Sequence, residues 1–265
     1  MDLINAAFPY LMLGCVAGLL AGLLGVGGGL VIVPALVFLL PLQGIDTPKL
    51  MQIALGTSLA TISATSISSI WAHHRQHNVK WRQFITLTPG LILGVMAGSW
   101  IADQVNSDSL QIGFSIFVIV VAIQMLLDIK PSGQRHTPKL LNSSIAGSTI
   151  GLVSSLVGIG GGTLTTPYLL WHNTPIRQAI GTSAACGLPI ALFGSLGYAF
   201  VGLDANQLPA YTTGYIYWPA LLGIISTSIL FAPLGAKLTG IISSSVLKKI
   251  FAVVLMVVAI RLLVN

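Results

Sequence analysis

Residues 25–34 read GVGGGLVIVP and residues 158–167 read GIGGGTLTTP. Each run lies inside a long apolar stretch, with its proline five residues after the last glycine. One offset serves both: Gly162 less Gly29 and Pro167 less Pro34 are each 133. At that offset Gly14, Gly18, Leu19, Leu23 and Leu36 meet Gly147, Gly151, Leu152, Leu156 and Leu169. Farther along, AxGTS recurs, with Ala54, Gly56, Thr57 and Ser58 matched by Ala179, Gly181, Thr182 and Ser183. Trp81, Gly98, Leu110 and Phe114 then return as Trp218, Gly235, Leu247 and Phe251, and Val120 to Ile123 as Val257 to Ile260. An ordered series of this length marks a tandem duplication. A duplicated apolar chain whose copies each carry a glycine-broken segment is the sequence pattern of many secondary transporters.

Composition sets the solvent. With 54% hydrophobic and 7% charged residues and a mean hydropathy of +0.91, the chain cannot clothe itself in polar surface for water. Several uncharged runs reach the roughly 20 residues that a spanning helix needs. The formal charge of +6 does not point to nucleic acid, because the basic residues are few and fall between apolar runs, where a positive-inside bias puts them. Cys15 and Cys186 both fall within predicted spans without ligand spacing and read as small packing residues. The opening MDLINAAFPY has no basic leader region and runs into an apolar segment longer than a signal core, so it is expected to be retained.

Eight apolar stretches follow one another: about Phe8 to Leu42, Leu50 to Ala72, Phe84 to Ala102, Leu110 to Leu127, Leu140 to Trp171, Ile176 to Val201, Tyr215 to Gly235 and Val246 to Val264. The first and fifth are too long for a bilayer core of about 30 Å as single helices, and each holds three glycines in a row. Glycine costs a helix about 1 kcal/mol per residue relative to alanine. Each is therefore read as a broken hairpin that enters and returns. Basic residues favour that reading. With hairpins and an outside N-terminus, Arg75, Lys80, Arg82, Lys130, Arg135, Lys139, Arg177, Lys237, Lys248 and Lys249 lie inside and only Lys49 and Arg261 outside. Eight through-going helices would divide them seven to five. One hairpin plus three crossings is an odd count, so the second copy is expected upside down. The expected fold is all-α and polytopic, with two inverted repeats: residues 1–129 and 140–265, joined by a cytoplasmic linker at 130–139. A site between them near the midplane follows from that symmetry.

A helix that restarts after a glycine break presents unpaired amides and the positive end of its dipole, which is an anion site. The candidate substrate-binding residues are accordingly Gly27, Gly28 and Gly29 in the first hairpin and Gly160, Gly161, Gly162 and Thr163 in the second. Thr57, Ser58, Thr182 and Ser183 stand beside them as possible hydroxyl donors, with interhelical bonding as the alternative role. Close packing is the alternative role of the glycines. The second hairpin adds Thr163, Thr165 and Thr166 where the first has the apolar run Leu30, Val31 and Ile32. Arg177 aligns with Gln52 and puts a fixed cation at the cytoplasmic mouth, or serves only topology.

Other chemistries find little footing. GVGGGL lacks the third glycine of a dinucleotide loop and the lysine of a phosphate loop. His73, His74 and His77 share a predicted inside loop with Arg75 and Lys80, where a solvated cluster accounts for them better than a metal does. No carboxylate is expected at the centre of a span. Neither catalytic residues nor a cofactor are assigned.

GxGGG followed by proline, AxGTS, the stretch HNVKW at His77 to Trp81 and their repetition together resemble the sulfite exporter TauE/SafE family, also called the toluene sulfonate uptake permease family. The resemblance spans almost the whole chain. It implies a multi-pass prokaryotic inner-membrane transporter of small sulfur-containing anions such as sulfite, thiosulfate or organosulfonates and leaves direction open; an inside-negative membrane makes export the expected direction for an uncoupled anion. A permease for carboxylates or other small anions is the alternative within the class, and a membrane-embedded enzyme the alternative outside it. The partners expected are the small anion and the lipid bilayer, with no nucleic acid; the sequence leaves oligomeric state open. One departure is that the second copy has LDANQLPAYTTGY where the first has its basic approach.

Topology is directly testable in a variant freed of Cys15 and Cys186. Cysteines placed at Asn106 and Asn206 should react with an impermeant external reagent, whereas those at Gln76 and Gln134 should not. Reaction at only one of Asn106 and Asn206 would overturn the inverted arrangement.

Overall fold

A computed structural model of the chain describes residues 3–24, 28–127, 140–238 and 244–264. The described residues form ten helices: α1 Leu3–Leu24, α2 Gly29–Leu42, α3 Leu50–Arg75, α4 Trp81–Gln104, α5 Ser107–Leu126, α6 Leu140–Val157, α7 Gly162–Trp171, α8 Ile176–Val201, α9 Trp218–Leu238 and α10 Ser244–Val264. A two-residue ladder, β1 Thr212–Thr213 against β2 Ile216–Tyr217, is the only sheet among the described residues. In hydrocarbon every backbone polar group must find a partner within the protein, and the helix is the local solution. Among the described residues, five helices, α3, α4, α5, α8 and most of α9, are long and apolar enough to cross a membrane. The molecule is thus a polytopic all-α membrane protein. Its outer surface agrees: Ile85, Leu93, Leu222 and Val257 are all exposed, which suits lipid.

Both overlong stretches are broken at their glycines. α2 has 14 residues and α7 has 10, so at 1.5 Å per residue they reach only about 21 and 15 Å. The second arm of the first hairpin returns along the first: the Tyr10 hydroxyl on α1 donates to Gln43 Oε1, just past α2, at 2.7 Å. The second break shows why glycine begins the motif. Gly158 has φ of +68°; its amide donates to the Ser155 carbonyl and that of Ile159 to the Ser154 carbonyl. This is a Schellman cap, which places a left-handed residue just after the helix and uses up its orphan carbonyls. Gly25, the equivalent position, and Gly27 lie outside the described residues, as does the whole 130–139 linker.

The helix pairing interchanges under exchange of the two copies. α1 packs on α9 as α6 packs on α4, α2 packs on α3 as α7 packs on α8, and α3–α8 and α5–α10 each map onto themselves. α3 and α8 cross antiparallel, with Gly194 at Leu59 and Gly187 at Ser66. α5 and α10 do likewise, Gln111 Nε2 donating to the Leu262 carbonyl at 2.8 Å. In contrast, α4 and α6 run parallel in near backbone contact: Gly90 meets Ser144, Gly94 meets Ser148 and Gly98 meets Leu152. Gly14 and Gly18 of α1 meet Ile224 and Ser228 of α9 in the same manner. Small residues permit such approach where no hydrophobic force draws helices together.

A side chain at Gly94 would collide with the Ser148 carbonyl, whereas one at Gly113 would meet nothing within 4 Å. Gly94→Leu should therefore cost about 1–3 kcal/mol through overpacking, read as a lowered thermal midpoint in detergent. Gly113→Leu should leave the midpoint unchanged.

Candidate functional site

The two glycine breaks meet inside the bundle. Gly29, the first residue of α2, abuts the Gly158 carbonyl, and a Cβ built there would lie 2.9 Å from Ile159 Cα. Gly161 lies against α8, where a Cβ would fall 2.9 Å from the Ser183 carbonyl oxygen and 3.0 Å from the Gly187 amide nitrogen. The conformations of Gly28 and Gly161 are right-handed helical, with φ of −56° and −62°. Gly29 and Gly161 are thus glycines because backbone of the other copy or of α8 occupies the place of a side chain. Gly160 is different: only Ile62 comes near, at 3.2 Å from a built Cβ.

The AxGTS hydroxyls are tied to the protein itself. Ser58 Oγ donates to the Gly158 carbonyl at 2.8 Å and Ser183 Oγ to the Gly161 carbonyl at 3.0 Å. The Gly158 carbonyl has no helical partner at the break, and the Gly161 carbonyl takes the Thr165 amide of α7 as well. Thr57 Oγ1 accepts the Tyr217 amide at 3.0 Å, and Thr182 Oγ1 accepts the Lys80 amide at 2.9 Å. All four side chains are fully buried. Tyr217 and Lys80 immediately precede Trp218 and Trp81, so each copy's motif clasps the entry to the other copy's fourth helix. Gly56 and Gly181 let that entry approach, their built Cβ atoms lying 2.7 Å from the Tyr215 carbonyl and 2.5 Å from the Asn78 carbonyl. The motif is therefore a clasp between copies.

What remains open to a ligand is the start of each short helix. Neither Gly28 nor Gly161 supplies a side-chain cap. The Gly28 carbonyl takes the amides of Val31 and Ile32, and the Gly161 carbonyl takes that of Thr165. Among the described residues, no acceptor faces the amides of Gly29, Leu30, Gly162, Thr163 or Leu164. Buried hydroxyls without partners sit at Ser154, Ser155, Thr163, Thr165 and Tyr168. Sequence reading singled out Thr163 but not Ser154 or Tyr168. A comparison at the repeat offset, with Ser154 and Tyr168 against Ala21 and Ala35, would have shown them.

The charged residues stand elsewhere. Arg177 is exposed, in the first turn of α8, six residues or about 9 Å along the helix from Ser183. A cleft of about 450 Å³ is lined by Pro48, Lys49, Asp103, Asp204, Gln207 and Tyr215, among others. It opens beyond the N-terminal end of α3, about 13 Å along that helix from Ser58. With one cation against two carboxylates it does not attract anions. Lys49 Nζ donates to the Asp103 carbonyl at 2.7 Å and pairs with its carboxylate at 3.6 Å. The Tyr215 hydroxyl donates to the same carboxylate at 2.5 Å, and burial first, then Asp103, pushes its pKa up. Of the three histidines, His74 accepts the Trp81 indole N–H at 3.3 Å, and no group of three metal-ligating side chains gathers among the described residues.

Paired short helices with free amides, enclosed by antiparallel spanning helices, define a membrane transporter architecture. The family profile for "Sulfite exporter TauE/SafE" matches residues 10–262, and the chain belongs to that family. A "probable membrane transporter protein" of Haemophilus influenzae is 44% identical over 95% of this chain and 96% of its own. One from Methanocaldococcus jannaschii is 32% identical over 81% and 79%, and one from Bacillus subtilis 26% identical over 95% of both chains.

The clasp makes a prediction of its own. Thr57→Val and Thr182→Val keep side-chain volume but leave a buried amide without an acceptor, which costs about 1–3 kcal/mol. Both should lower the thermal midpoint in detergent by similar amounts. Thr61→Val, where the hydroxyl only bonds back to the Thr57 carbonyl of its own helix, should change it little.

Proposed function

We propose that this protein is a secondary transporter that exports small sulfur-containing anions, of the sulfite, thiosulfate or organosulfonate type, across a prokaryotic inner membrane. The carrying observation is the meeting of the start of α2 with the second glycine break inside the apolar bundle, and the absence, among the described residues, of an acceptor for the first-turn amides of α2 and α7. Such termini favour negative charge. The family's name, sulfite exporter, supports the sulfur oxyanion as cargo. In this reading Gly27, Gly28, Gly29, Gly160, Gly161, Gly162 and Thr163 form the floor of the site. Thr57, Ser58, Thr182 and Ser183 hold its walls, and Arg177 marks the cytoplasmic approach. The two copies, residues 1–129 and 140–265, lie inverted across the bilayer with the N-terminus outside, and alternate access by rocking about the central site.

Direction follows from charge. Moving one elementary charge through 100 mV is worth about 2.3 kcal/mol, so an inside-negative potential drives an uncoupled anion outward. Proteoliposomes with a clamped potassium diffusion potential test this with labelled sulfite and methanesulfonate. An inside-negative voltage should accelerate anion exit, and voltage-independent flux would establish electroneutral coupling instead. Preference for acetate over both sulfur anions would favour the carboxylate permease, and preference for cations would overturn the reading.

A further inference from the structure

The unpartnered buried hydroxyls are not shared between the hairpins. Ser154, Thr163, Thr165 and Tyr168 belong to the second, and their repeat equivalents are Ala21, Leu30, Ile32 and Ala35, all without a hydroxyl. Ser154 and Thr165 are fully buried, where an unsatisfied hydroxyl costs about 1–3 kcal/mol. A pair of helices that keeps such groups in an apolar bundle has a use for them. Ser155 is of another kind, since its side chain faces Gly98 of α4.

We propose that, of the two hairpins, the second supplies the hydrogen bonds that hold the transported anion, by neutral donors at the start of α7, and that these donors select a head with three oxygens over a carboxylate. The proposal rests on the anion-transport reading above. The donors are the amides of Gly162, Thr163 and Leu164 and the hydroxyls of Ser154, Thr163 and Thr165. A carboxylate offers about four lone-pair sites on two oxygens, so it leaves part of this set unmet, and unmet buried donors are the strongest basis for rejecting an analogue. A sulfonate or sulfite offers about six. No cation takes part: Arg177 is exposed, and the cleft holding Lys49 lies at the end of α3. Charge is met by the α7 dipole, which leaves the anion free to depart from either side. The first hairpin meets this break through Gly29 and Val33 at Gly158.

The test measures affinity of the purified full chain in detergent for methanesulfonate, sulfite and acetate by titration calorimetry, with size-exclusion profiles to verify folding. Thr163→Val and Thr165→Val preserve volume, and each should weaken methanesulfonate binding about tenfold, the value of one net hydrogen bond. Thr165→Ser should restore it, Ser154→Ala gives a second reading through a smaller change, and Ile32→Val in the first hairpin should have no effect. Native methanesulfonate affinity in both Thr→Val proteins, or an equal loss in Ile32→Val, would overturn the assignment to the second hairpin. Acetate bound as tightly as methanesulfonate would overturn the three-oxygen selection. If the native protein binds none of the three anions, the transport reading itself falls and this inference with it; if it binds them and the variants do not differ, only this inference falls.

Discussion

The structure depends on one constraint: a helix interrupted within hydrocarbon must have its loose peptide groups met from elsewhere in the protein. At the second break the requirement is satisfied in pieces. The Schellman cap at Gly158 uses the last carbonyls of α6, and Ser58 and Ser183 reach in from α3 and α8 to take the carbonyls of Gly158 and Gly161. Carbonyls are thereby silenced while amides at the start of α7 stay free. That imbalance turns a folding problem into a positive electrostatic feature, and it needs no charged side chain.

The constraint also explains why the duplicated motifs occur together. At the second break two serines on neighbouring helices take carbonyls, and each such helix requires an anchor so that its serine is at the right height. The threonine preceding each serine gives that anchor by holding the Tyr217 or Lys80 amide of the other copy. Proximity of backbone to backbone at Gly56 and Gly181 makes the anchor possible. GxGGG and AxGTS are thus parts of one mechanical arrangement.

Much of this was legible in the sequence, for identifiable reasons. The glycine runs, overlong stretches and offset series are patterns in a single dimension, and the broken helices follow from them. The clasp was not legible, because Thr57 and Tyr217 are 160 residues apart and nothing local distinguishes a hydroxyl that bonds a distant amide from one that bonds a ligand. The packing role of Gly29 and Gly161 was open for the same reason: the occupant of the missing side chain's place belongs to another helix. Ser154 and Tyr168 were passed over since serine and tyrosine are ordinary in such helices, and only burial without a partner sets them apart.

The parallel seams of α1 on α9 and α4 on α6 join a first arm from one copy to the fourth helix of the other. Each copy's most intimate backbone contacts are therefore made with its counterpart, and a single copy would expose Gly14 and Gly18, or Gly90 and Gly94, with nothing to fill them. Each half's tightest surface is thus shaped to the other half, and neither is a packing unit by itself.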